Sequence, residues 1–217
     1  MATVFAPRAY DRSVAVEVSP ATPDRWDDVA VVFGRRGENP SWCWCQLFLR
    51  SPTTQSTPSR AKPNNRDALR REIDNAAMPP GLIAYVDDRP VGWTRVGPRS
   101  RFPGVNDNRA LARIRTDDDP DVWWVACFVV DSRFRRSGVG CALLEAAAEF
   151  ARQHGASAIE GHPVDVAALT APTVSGSAIY TGTKAMFEAA SFVEVARTAR
   201  TRPVMRRTLL PVSAGRL

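Results

Sequence analysis

No apolar stretch in this sequence is long enough to cross a bilayer. The longest, Val122–Val130, falls far short of the roughly 20 residues that a spanning helix needs. Residues 1–13 carry Arg8 and Arg12 but no apolar run, so no secretory signal is expected and the chain reads as cytoplasmic. Lysine is nearly missing: Lys62 and Lys184 are the two lysines among 29 basic residues, and the rest are arginine. The arginines form no run of five or six, so a net charge of +6 and a pI near 9.7 describe a solvated surface rather than a nucleic-acid face. Four cysteines (Cys43, Cys45, Cys127, Cys141) are too few for a disulfide framework in a chain of this length. Two common phosphate-binding motifs are also missing, since there is neither a Gly-x4-Gly-Lys-Ser/Thr nor a Gly-x-Gly-x-x-Gly turn.

What is present suits one domain. With 217 residues, 44% of them hydrophobic and 24% charged, the chain can bury a substantial core. Residues 14–18 alternate as a first strand. Thr22-Pro23 then opens a helix with Trp26, Val29, Val32 and Phe33 on one face. The polar, proline-rich stretch 51–65 reads as a loop, and a helix with Leu69, Ile73 and Ala76 on one face is predicted over 66–77. Residues 82–86 and 90–96 flank Asp87-Asp88-Arg89 as a hairpin, and 97–121 is a charged connection with a short helix near 109–114. A strand over 157–162, a helix over 180–190 and strands over 192–198 and 203–209 close the chain. The architecture implied is α/β, a mixed sheet between helices.

The most informative segment runs from 123 to 155. An apolar strand enters a basic turn, Arg133 to Ser137, and Gly138 and Gly140 open a helix that closes at Gly155. Glycines let the backbone approach a ligand, and first-turn N–H groups have no partner within the helix. The positive end of the helix dipole and the flanking arginines complete a cradle suited to a pyrophosphate.

The spacing Arg135-x-x-Gly138-x-Gly140 between strand and helix resembles the acyl-CoA signature of the GNAT superfamily of N-acetyltransferases. The resemblance extends through Glu160–Asp165 and Phe187–Val195, over roughly residues 80–210. It implies a mostly antiparallel central sheet flanked by helices, with a splayed pair of strands holding acetyl-CoA as co-substrate. In that family the backbone of the signature strand pairs with the pantetheine arm, a role that falls here on Phe128, Val129 and Val130. Arg135, Arg136, Ser137, Gly138, Val139 and Gly140 would hold the pyrophosphate. The acceptor would be a small-molecule or peptide amine; no membrane partner is implied, and a homodimer stays open. On this reading residues 1–80 form the acceptor side, 81–210 the CoA-binding core and 211–217 a tail of a single domain.

Transfer to an amine needs a proton acceptor for the amine and a proton donor for the departing thiolate. The family's usual donor is a Tyr seven residues into the last helix, where this chain has Phe187; Tyr180, read as starting that helix, is the substitute. His162, at the end of the strand beside the signature strand, and Glu160, two residues earlier, are the candidate bases. Cys43 and Cys45 invite a metal reading with Cys127 and His162, but a C-x-C without a second close pair is a poor signature and no metal is expected. Trp42–Cys45 and the 51–65 loop are read instead as walls of the acceptor pocket. Asp117–Asp121 lacks calcium-loop spacing and reads as an acidic turn. An acyl-CoA sensor without catalysis, and a nucleic-acid binder resting on net charge alone, stay open as alternatives.

Overall fold

Side chains alternate between the two faces of a strand, and this alternation sorts most of the core residues. A computed structural model of the chain describes residues 3–5, 15–34, 43–50, 64–115, 119–170, 175 and 178–210. The strands are β1 Thr3–Phe5, β2 Val16–Pro20, β3 Gly81–Val86, β4 Arg89–Pro98, β5 Val122–Val130, β6 Ala158–Gly161, β7 Val193–Ala199 and β8 Arg202–Thr208. The helices are α1 Trp26–Phe33, α2 Asn65–Asn75, α3 Pro103–Asn106, α4 Arg109–Ile114, α5 Val139–Gln153 and α6 Lys184–Ala189. The strands form one sheet ordered β1-β2-β3-β4-β5-β6-β8-β7, antiparallel at every pairing except β5 with β6. The mixed sheet flanked by helices predicted from the sequence is therefore present.

Leu82, Ala84 and Val86 of β3 join Val125, Ile159 and Met205 beneath α5, whose Leu143, Leu144 and Ala147 fill the same cluster. Ile83 and Trp93 point to the opposite face, where α1 and α2 cover them with Val29, Phe33, Leu69 and Ile73. Further along that face, Trp124, Ala126 and Val204 pack on Phe102, Val105 and Leu111 of the α3–α4 region. The β3–β4 hairpin turns through Asp87 and Asp88, at φ 47° and 60°. Two left-handed residues make the kind of two-residue turn that matches the twist of the strands.

Three expectations shift. β1 was not anticipated. Thr22 makes no side-chain cap; a short 3-10 turn, Pro23–Arg25, precedes α1 instead. The last helix begins at Lys184, not at residue 180, because the Thr183 side chain caps the Met186 N–H there.

The connection between β4 and β5 positions the site. Arg95 pairs with Cys127 and Val96 with Val125, so Ala126 is an extra residue in β5 with no counterpart in β4. This β-bulge puts the side chains of Ala126 and Cys127 on the same face and bends the strand. Parallel pairing with β6 ends at the same place, with Val125 opposite Gly161. Beyond it β5 and β6 diverge.

Beside the bulge, the Arg95 guanidinium is 2% exposed and is held by both carboxylate oxygens of Glu72 from α2, at 3.0 and 2.7 Å. Burial alone would raise the Glu72 carboxyl, but Arg95, together with Arg101, outweighs it and holds the group below the usual carboxylate range. Truncation to Glu72→Ala should leave a buried cation unpaired and lower unfolding stability by about 3 kcal/mol in urea denaturation at neutral pH. A loss under about 1 kcal/mol would mean that water replaces the carboxylate.

Candidate functional site

Past the bulge, the direction of each β5 backbone group follows from its neighbours. The Asp131 N–H donates to Val91 O at 2.9 Å, toward β4, and Thr94 Oγ1 donates to Cys127 O from the same side at 3.0 Å. By alternation the Val129 backbone also faces β4, and the Phe128 and Val130 backbones face the gap beside β6. Of the three residues expected to present backbone there, Val129 does not. The Phe128 N–H is engaged as well, donating to the Tyr180 carbonyl at 2.6 Å. The edge offered to the gap is the Phe128 carbonyl and the Val130 peptide groups.

Gly138, at φ 90°, is the N-cap of α5 and has no Cβ to obstruct the helix start. That left-handed conformation suits glycine, and no side chain caps the first turn, so its N–H groups point outward with the positive end of the dipole. The Ser137 hydroxyl donates to Phe134 O at 2.6 Å, which folds the turn back under the strand end. Arg133 is spent on Asp131 at 2.7 Å. Arg135 and Arg136 are exposed, and among the described residues neither is ion-paired. Val139 is buried in the α5 core, so only its backbone can face a ligand. A turn with outward N–H groups and two cations fits a pyrophosphate.

Tyr180 lies in the turn before α6, not at the start of the helix. It is half-buried against Phe48, with ring centroids 6.3 Å apart. Burial pushes its hydroxyl above the usual phenol range, against a partial opposing effect from Arg202. Phe187 is fully buried, edge-on to Phe128 and Phe192. Its ring approaches so closely that a Cβ on Gly161 would meet it at 2.5 Å. That position is core.

His162 and Glu160, the expected bases, belong to different clusters. Thr198 Oγ1 donates to Arg202 O at 3.3 Å, so it accepts from His162 Nε2, 2.7 Å away. Arg202 Nη2, which can only donate, faces Nδ1 at 3.4 Å. Both ring nitrogens are thus occupied, and burial with Arg202 lowers the pKa of His162 to about 4. Glu160 is clamped between Arg99 at 3.1 Å and Arg206 at 2.9 Å. It faces a cavity of about 170 Å3 beside Trp124 and Val204, under α3 and α4. A carboxylate with a guanidinium on each oxygen is a structural link between elements. Neither residue has the disposition of a general base, and the signals that would have shown it, Arg99, Arg202 and Arg206, lie on other elements.

The cysteines depart furthest from expectation. Cys45 and Cys127 form a disulfide that closes a span of 82 residues. A cross-link of that span contributes about 4 kcal/mol through the unfolded chain. Cys43, Cys45 and Cys127 lie with their sulfurs within 4.8 Å of one another, and His162 is not in that cluster. Trp42 and residues 51–63 of the expected acceptor wall lie outside the described residues, as do Asp117 and Asp118. Asp119 accepts from Ser157 at 2.6 Å, anchoring the entry to β6. Among the described residues no helix is long and apolar enough to cross a membrane.

The acetyltransferase (GNAT) family model matches residues 44–168. No curated protein matches the chain. Among solved structures, the GNAT domain of PAT from S. lividans superposes with a TM-score of 0.51 at 15% identity, covering 90% of this chain and 91% of that one. yncA of Salmonella typhimurium, solved with its cofactor acetyl-CoA, gives 0.50 at 13% identity, over 92% and 96%. The mosquito arylalkylamine N-acetyltransferase like 5b gives 0.50 at 12%, over 89% and 100%. These likenesses are of fold.

The state of His162 has a measurable consequence. Its pKa is near 6.5 unfolded and about 4 folded, so between those values the unfolded chain binds the extra proton. The stability due to neutral His162 is complete above pH 6.5 and is lost as pH falls toward 4. Wild type should therefore lose about 2–3 kcal/mol more than His162→Gln between about pH 7 and 4.5, by urea denaturation at each pH. Parallel losses in the two proteins would show that His162 is solvated.

Proposed function

The chain belongs to the acetyltransferase (GNAT) family, and from that premise we propose that it moves an acetyl group from acetyl-CoA to a primary amine by direct attack. GNAT enzymes are acyltransferases that use acetyl-CoA. The observation that carries the reading is the divergence of β5 from β6 at the Ala126 bulge, directly ahead of the open, cationic start of α5.

On this reading the diphosphate sits against the first turn of α5, between Arg135 and Arg136. Ser137 folds the turn, and the backbone of Gly138, Val139 and Gly140 supplies donors. The Phe128 carbonyl and the Val130 peptide groups pair with the amides of the pantetheine arm, which lies in the gap. Residues 81–210 form this half of a single domain, and residues 1–80 form the acceptor side, where a small-molecule or peptide amine enters. The Glu160 carboxylate and both His162 ring nitrogens are already engaged, so the amine attacks as its free base. The thiolate leaving group takes its proton from Tyr180, a phenol kept protonated by burial.

Acetyl-CoA at a hundredfold excess over Kd should stabilise the protein by about 2.7 kcal/mol, read as a thermal-melt shift. Gly138→Glu should abolish that shift by placing a side chain and a negative charge at the helix start. A shift of normal size in the variant would move the phosphate site elsewhere.

Tyr180→Phe should lower kcat by roughly 10²–10⁴-fold with acetyl-CoA affinity unchanged, in a free-thiol assay over an amine panel. A variant as fast as wild type would mean that water protonates the thiolate. Acetyl-CoA binding by wild type with no turnover on any amine would make the chain an acyl-CoA-binding module instead.

A further inference from the structure

Segment 43–50 returns to the sheet beside β5 through a strained turn. Trp44 and Cys45 have φ of 34° and 51°, left-handed conformations that an aromatic residue and a cysteine rarely adopt. Several contacts hold the turn in place. Trp44 is 1% exposed and stacks on Phe33 and Trp26, at 4.5 and 5.8 Å between centroids. The Trp93 indole N–H donates to Cys45 Sγ at 2.8 Å, and Gln46 N–H closes the turn onto Cys43 O at 3.0 Å. Within this turn the Cys43 sulfur lies in one cluster with both sulfurs of the Cys45–Cys127 disulfide. Cys127 sits between the bulge residue Ala126 and Phe128, whose N–H is held by Tyr180. The disulfide therefore ties the 43–50 turn to the strand at the point where the gap opens.

We propose that these three cysteines form a thiol–disulfide exchange site, in which Cys43 displaces Cys127 from Cys45 and so releases the 43–50 turn from β5. The Cys43 thiol loses its proton to solvent, and its sulfur bonds to Cys45 Sγ. The Cys45–Cys127 bond breaks, and its electron pair leaves on Cys127 Sγ, which takes up a proton. No net oxidation occurs and no external reductant is needed. Cys43 and Cys45 share one turn, so the new bond forms without moving a strand. Burial raises the Cys43 thiol, with partial relief from the Cys45 N–H and Arg95, which makes exchange depend on opening of the turn. The inference depends on the reading above only in taking this turn to wall the acceptor side.

The test maps disulfides in the full chain, purified without reductant, held at about pH 8.5 and quenched in acid. Free thiols are alkylated with iodoacetamide, and bonded ones are then reduced and labelled with N-ethylmaleimide. Wild type should divide its bonded label between Cys43 and Cys127, with Cys45 always bonded. Cys43→Ser and Cys43→Ala should hold Cys45 and Cys127 fully bonded, and the half-buried free thiol Cys141 serves as a constant control. Locked Cys43→Ser should also show a several-fold change in acceptor kcat/KM on reduction, with acetyl-CoA affinity within about twofold.

Complete alkylation of Cys43 beside an intact Cys45–Cys127 bond overturns the proposal. So do three free thiols binding one zinc per chain, which would make the cluster a thiolate metal site. Exchange seen in a protein that turns over no amine would leave this inference standing and remove the amine reading instead.

Discussion

One extra residue in β5 organises the site. Without Ala126 the register from Arg95 onward would run straight, β5 would stay level with β6, and the sheet would close over the space a ligand needs. With it, pairing to β6 stops at Val125, and the backbone of Phe128 and Val130 turns into the gap. The surroundings keep that gap from collapsing. Phe187, wedged against Gly161, Phe128 and Phe192, fills its base from the α5 side. The Tyr180 carbonyl takes one strand N–H, and the Cys45–Cys127 disulfide fixes the strand from the other face.

Charge is allotted with the same economy. The chain is rich in arginine, yet many of the described guanidiniums are tied down. Arg95 goes to Glu72, Arg99 and Arg206 to Glu160, Arg197 to Asp165 and Glu194, and Arg152 to Glu149. Net charge alone therefore overstates how much of the described cationic surface is free of a carboxylate partner. Arg135 and Arg136 differ in being exposed at a helix N-terminus, where their charge adds to the dipole. The cationic surface that matters is set by which arginines lack a carboxylate neighbour, not by the total.

The contrast between what could and could not be read from sequence follows from distance along the chain. The strand, turn and helix over 122–153, the 109–114 helix and the Asp87-Asp88 hairpin depend on local chemistry, and their residues declare them. Glu160 and His162 also stand where the sequence puts them, at the end of the strand beside the gap. Their roles do not, because the groups that decide them come from 61 and 46 residues away for Glu160 and from 36 and 40 away for His162. The disulfide joins cysteines 82 apart, and nothing in the spacing of four scattered cysteines selects that pair. Aligning Tyr180 with the family's helix start places it in the last helix, but Gly182 at φ 83° and the Thr183 cap start the helix after it.

With Glu160 and His162 committed to arginines, proton handling falls to fewer groups than the sequence offers. A buried carboxylate between two guanidiniums holds β6 to β8 and to the turn that follows β4. A neutral imidazole between Thr198 and Arg202 holds the end of β6 to the β7–β8 hairpin. Making either one the base would remove a support of the strand that borders the gap. Among the described residues the gap is bordered by the Phe128 carbonyl, the Val130 peptide groups and the Tyr180 carbonyl, which bind without titrating, while the Tyr180 phenol is raised by burial. Under the acetyl transfer proposed above, this arrangement leaves the acceptor to supply its own basicity. On that proposal the amine's own pKa, rather than a protein base, sets which acceptors react at a given pH.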